Sequence, residues 1–107
     1  MSLLEYIDSG GRNPFRRWFE GLDEMAAAKV VTALVKIGAG NTSNVKGVGG
    51  GVYEYRIDFG SGYRIYFGFD GQEVVILVGG GTKQRQQRDI VDAQERWQDY
   101  KSRKRNR

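Results

Sequence analysis

The stretch Gly62 to Gly68, GYRIYFG, decides how this chain reads. As a strand it sets Tyr63, Ile65 and Phe67 on one face and Arg64 and Tyr66 on the other, because successive side chains point to opposite sides. The first face is core material; the second joins a guanidinium to a phenol. Two more β-rich runs flank it, VYEYRIDF (52–59) and EVVILV (73–78), set off by GSG and DG, so a meander of three antiparallel strands is expected. With Gly60, Ser61 and Gly62 as the first turn, Phe59 faces Tyr63, and Ile57, Tyr55 and Tyr53 pair with Ile65, Phe67 and Phe69 on an apolar face. The opposite face then pairs Asp58 with Arg64 and Arg56 with Tyr66. A two-residue turn at Asp70 and Gly71 adds Val75 beside Tyr66 and Leu77 beside Arg64.

Working outward, SLLEYI near the start reads as a short strand. Asn13 before Pro14 is a helix start, with a capping side chain and a proline where its missing N–H costs nothing. Phe15, Trp18, Phe19 and Leu22 follow at helical spacing. Asp23 caps a second helix carrying Ala26, Val30, Ala33, Leu34 and Ile37, closed by Gly38 or Gly40. After GGGT, a last helix carries Ile90, Ala93, Trp97 and Tyr100. The fold class is therefore α+β: an N-terminal strand and a helical hairpin packed on a twisted antiparallel sheet, with a C-terminal helix. One domain over 1–100 is expected, and the basic 101–107, with no apolar residue, is expected to be a disordered tail.

Composition narrows the chemistry. The 107 residues contain neither cysteine nor histidine, which rules out disulfides, thiolate catalysis, histidine-based triads and the usual zinc sites. Catalysis, if any, falls to Lys, Arg, Tyr, Asp or Glu, and no metal or other cofactor is called for. No run approaches the roughly 20 apolar residues that span a bilayer, so a cytoplasmic protein without membrane contact is expected. Nine Lys and Arg against four Asp and Glu fall between Lys83 and Arg107, a net of +5, which leaves −1 for the rest of a +4 chain. A basic surface of this kind suits a polyanion, nucleic acid above all.

The meander gathers Arg56, Arg64 and Tyr66 on one sheet face. Guanidinium groups on strands suit bidentate phosphate contact, and a phenol beside them can stack on a base or move a proton. A purely structural alternative is that the arginines make cross-strand ion pairs with Asp58 and Glu54. Lys46, in a glycine-rich loop, and Lys83 and Arg85, at the start of the last helix, flank the same face.

Taken together, GNTSNVKGVGGGVYEYRI (40–57), GSGYRIYFG (60–68) and GGGTKQRQQRDIVDA (79–93) resemble the RelE/ParE superfamily of toxins from type II toxin–antitoxin modules. Within it the likeness is to the HigB-like branch of addiction module killer proteins. The resemblance implies a RelE-like fold and a ribosome-dependent mRNA endoribonuclease that blocks translation; the alternatives are a ParE-like inhibitor of DNA gyrase without nuclease activity and a non-catalytic nucleic-acid-binding domain. It also implies Arg64 as the contact to the scissile phosphate, aided by Arg56, Lys46 and Lys83. Tyr66, on the same sheet face, is expected to stack on or orient the base, and Arg85 and Arg88 are expected as further RNA-binding residues. The implied partners are the ribosome with its mRNA and a cognate antitoxin, of helix-turn-helix type in this branch. Relatives often carry a tyrosine or histidine early in the last helix, where this chain reads QRDIVD.

Overall fold

In a computed structural model, which describes residues 1–106, five strands form one sheet in the order β1-β5-β4-β3-β2: β1 (Ser2–Glu5), β2 (Val45–Gly49), β3 (Val52–Ile57), β4 (Tyr63–Asp70) and β5 (Val74–Thr82). Helices α1 (Pro14–Glu20) and α2 (Glu24–Gly38) precede β2, and α3 (Gln86–Arg105) ends the described chain. The class is α+β, as the sequence implies. The sheet is mixed rather than antiparallel, because β1 runs parallel to β5 at the edge, Leu3 opposite Val75.

The capping residues act as their chemistry suggests. The Asn13 side chain accepts from the Arg16 amide at 2.9 Å and the Asp23 side chain from the Ala26 amide at 2.9 Å, satisfying amides that the first turns leave free. The hairpin they start buries Phe15, Val30, Ala33 and Ile37 against Tyr55, Ile65, Phe67, Val75 and Leu77.

Two turns shift the expected register. The β3–β4 loop takes five residues instead of three, so Tyr55 faces Ile65 and Arg56 faces Arg64, a slip of two that preserves both faces. Between β4 and β5 the turn takes three residues, pairing Asp70 with Val74. That odd step moves Val75 and Leu77 from the Tyr66 side, where a two-residue turn would place them, to the hairpin side. A bulge between Tyr66 and Phe67 then realigns the ladder, setting Tyr66 opposite Gly79 and Arg64 opposite Gly81.

The second sheet face is not open. Helix α3 lies across it, and Tyr6, Val52, Tyr66, Ile76, Val78, Ala93 and Trp97 form a second core. The run Gly79–Gly81 belongs to β5 and lets both helix layers approach: a side chain at Gly80 would collide with Trp18, and one at Gly81 with the Asp89 carboxylate. Residues 101–105, expected to fray, continue α3, with Lys104 on Asp70 and Arg103 on Asp99. Residue 107 of the expected tail lies outside the described residues.

Candidate nucleic-acid interface

A cleft opens beside the start of α3, at the end of the sheet where the β3–β4 hairpin closes. There Ser43, Asn44, Lys46, Arg56, Asp58, Gly60, Ser61, Gly62, Arg64 and Lys83 line an open cleft of about 560 Å³. Four of the expected residues, Lys46, Arg56, Arg64 and Lys83, are thus brought together from four different segments.

Each is placed by backbone pairing. Lys46 is not in a loop: Val45–Gly49 is an edge strand, and Lys46 lies opposite Glu54. The Arg56 amide donates to the Asn44 carbonyl at 3.2 Å. Arg56 therefore turns its hydrogen-bonding groups toward β2 and forms a narrow, non-hydrogen-bonded pair with Arg64, with Cα atoms about 4.5 Å apart. Gly62, at a φ of 79°, offers one carbonyl to both the Lys83 amide (3.0 Å) and Arg64 Nη1 (3.3 Å). The turn glycine thereby links two cations. Lys46, on β2, and Lys83, just past the end of β5, reach the cleft from opposite sides, with β3 and β4 between them.

Lys46, Arg56 and Lys83 are exposed and have no ion pair among the described residues. Like charges directly opposite one another, as at Arg56 and Arg64, are unfavourable in a sheet. The arrangement is suited to an anion that would bridge them.

Arg64 differs from the other three in being 5% exposed. Its Nε lies 3.6 Å from Oε2 of Glu54, which is wholly buried. The same oxygen accepts from the Tyr66 hydroxyl at 3.1 Å and from Gln86 Nε2 at 2.9 Å. Tyr66 is fully buried and does not reach the cleft, so the expected stacking on a base is not open to it in this conformation. Burial first, and the Glu54 carboxylate second, push its phenol far above the ordinary tyrosine range. It remains a donor rather than a base.

Arg85 and Arg88 stand outside the cleft, exposed on a shallow hollow around the start of α3. Asp89, one turn into α3, is half-buried, and burial raises its pKa above the ordinary aspartate value, with Asp92 adding to the effect and Arg85 opposing it. Sequence reasoning gave Glu54 only an ion-pairing role and missed Gln86; the signal for Glu54 is its alternation with Val52 and Arg56 in VYEYRI.

Residues 17–98 match the family described as Phage derived protein Gp49-like (DUF891), about three quarters of the chain and every residue named at the cleft. The chain belongs to the Gp49-like family. This is a phage-derived family related to toxin–antitoxin addiction modules. A relative from Haemophilus influenzae (strain ATCC 51907 / DSM 11121 / KW20 / Rd), described as an uncharacterized protein, is 38% identical over 80 residues, covering 74% of this chain and 81% of its own. No solved structure matches this Gp49-like protein.

Proposed function

We propose that this protein is the toxin of a type II toxin–antitoxin module and a ribosome-dependent mRNA endoribonuclease of the RelE/HigB kind. The observation that carries the reading is the convergence of Lys46, Arg56, Arg64 and Lys83 on one cleft, with two arginines paired directly across the sheet. In RNA the 2′-hydroxyl can attack the adjacent phosphate, giving a 2′,3′-cyclic phosphate and a free 5′-hydroxyl. The protein then has to align the strand and neutralise the charge gathering on the phosphoryl oxygens.

Arg64 and Arg56 supply that neutralisation. Arg64 is the more buried of the two, and a charged donor in a partly dehydrated site stabilises developing charge better than one in open water. Lys46 and Lys83, on opposite sides of the cleft, would divide the remaining work: one ammonium stabilises the 2′-oxygen as its proton passes to water, and the other gives a proton to the leaving 5′-oxygen and recovers one from water. Asn44, Ser43 and Ser61 add neutral hydrogen-bonding groups along the wall. Arg85 and Arg88 extend the cationic surface toward α3 for flanking phosphates.

A cleft of this kind would damage its host unless covered, so the partner is a cognate antitoxin that places acidic groups over it. Expression of the chain alone in bacteria should stop growth, with mRNA shortening before any loss of DNA supercoiling. Growth arrest with intact mRNA and altered supercoiling would instead support a gyrase inhibitor.

A further inference from the structure

The buried carboxylate beneath Arg64 has no part in the scheme above, yet it is the most unusual group in the molecule. Glu54 is wholly buried and Arg64 nearly so, and ionisable side chains are rarely placed this deep unless paired. Their pairing is incomplete. Arg64 Nε stands 3.6 Å from Oε2, too far for a hydrogen bond, and both Arg64 Nε and Glu54 Oε1 are buried without a hydrogen-bond partner. Arginine and carboxylate ordinarily close into a two-pronged contact, and groups left unpaired in the interior are costly. A pair serving stability alone would be closed.

We infer that Glu54 is the positioning residue of the cleft, acting on the phosphate only through Arg64, and that Tyr66 and Gln86 hold Glu54 in place. The inference rests on reading the cleft as a phosphate site. Glu54 does not line the cleft, so it does not touch a ligand there. Its Oε2 is fixed from two directions, by a phenol in β4 and by an amide on the first residue of α3. Arg64 is tethered loosely at both ends, to Gly62 at 3.3 Å and to Glu54 at 3.6 Å. A small rotation of the guanidinium moves Nε onto the carboxylate and frees Nη1 from the Gly62 carbonyl for an anion. Phosphate binding and closure of the Glu54–Arg64 contact are then one event. This explains why an arginine and a phenol share a face in GYRIYFG: the phenol orients the carboxylate that orients the arginine.

The test uses the full chain, with Tyr66→Phe and Gln86→Ala introduced into both the native and the Arg64→Ala backgrounds. Because Arg64→Ala leaves buried Glu54 without its cation, its fold is checked by circular dichroism at the assay temperature, and Arg64→Lys, which keeps a cation there, takes its place if it has unfolded. In the native background each should lower kcat for mRNA cleavage on ribosomes about tenfold with KM changed less than about threefold, the mark of a lost transition-state contact. The melting transition should fall by about 10 °C or less. In the Arg64→Ala background neither change should reduce activity further, because residues acting as one unit are not additive. Equal losses in both backgrounds, or an unchanged kcat in the native one, would overturn the assignment. A second readout is independent of the reaction. Inorganic phosphate, added to the protein at constant ionic strength, should slow hydrogen exchange at Arg64 Nε–H, and Tyr66→Phe should weaken that effect. If phosphate binds without altering Arg64 Nε–H, the positioning role is wrong whatever the enzyme cleaves; if Nε–H responds while no RNA is cut, the positioning role stands and the nuclease reading falls.

Discussion

Replacing Glu54 by leucine should be among the most damaging single changes in the chain, and replacing its partners as well should repair it. Arg64 is 5% exposed, and without Glu54 its charge would rest on one 3.3 Å bond to the Gly62 carbonyl. Removing one member of a buried ion pair costs about 3–5 kcal/mol, because the survivor stays buried without compensation. The Tyr66 hydroxyl, fully buried, would lose its acceptor too and add roughly 1–3 kcal/mol. Against a total stability of about 5–15 kcal/mol for a domain of this size, Glu54→Leu leaves the protein marginal or unfolded. The triple change Glu54→Leu, Arg64→Met and Tyr66→Phe replaces the cluster with apolar groups of similar volume, an exchange that is often neutral or better. Urea unfolding followed by the fluorescence of Trp18 and Trp97, which pack on opposite sheet faces, measures both. A single change costing under about 1 kcal/mol, or a triple no more stable than the single, would refute the reasoning.

Gly80→Ala should destabilise by about 1–3 kcal/mol or more, since the new Cβ meets the Trp18 ring and overpacking is relieved only by moving α1; thermal unfolding reads it. Asp89→Asn should raise the melting temperature at pH 7. Burial lifts the folded pKa of Asp89 above its unfolded value, so its ionisation costs stability fully above the folded pKa; the gain should vanish when pH falls below the unfolded value, where both states are protonated. Tyr6, whose phenol burial and Asp99 push up to about 12, should make stability fall as pH rises from about 10, where the unfolded tyrosine ionises first, and hydroxide titration of unfolding checks it. If four cleft cations meet phosphates, the logarithm of affinity for single-stranded RNA should fall with the logarithm of salt with a slope of about −3, and Arg56→Ala should reduce that slope by about 0.7.

The parts of the fold that follow from local chemistry were legible in the sequence. Asn13-Pro14 and Asp23 mark their helices, and the alternation in YEYRI and GYRIYF separates an apolar face from a polar one. Even a register error of two left those faces intact, because side chains repeat every second residue. What escaped depends on how turns close and on contacts distant in the chain. Three residues rather than two between β4 and β5 reverse the side on which Val75 and Leu77 fall, and nothing in DG, Gln72 and Glu73 settles the loop length. VKGVG, with two glycines in five residues, lacks the side chains that announce a strand, though it pairs with β3. At the cleft, the basic residues declared themselves by type and position. The burial of Tyr66 did not, since it follows from α3 crossing a face that the sequence alone left open, and Gln86 meets Glu54 from 32 residues away.

The most direct test is to incubate the purified protein with ribosomes programmed with a defined mRNA and to read the ends of any fragments, beside the same reaction with an Arg64→Ala protein shown by circular dichroism to be folded at the assay temperature. The expected result is cleavage within the ribosome-bound message, with 2′,3′-cyclic phosphate and 5′-hydroxyl ends and at least a hundredfold slower for Arg64→Ala, as removal of one charge-stabilising donor gives about 10²–10³ in kcat. Intact mRNA with the native protein, or equal cleavage by the Arg64→Ala protein, would contradict it.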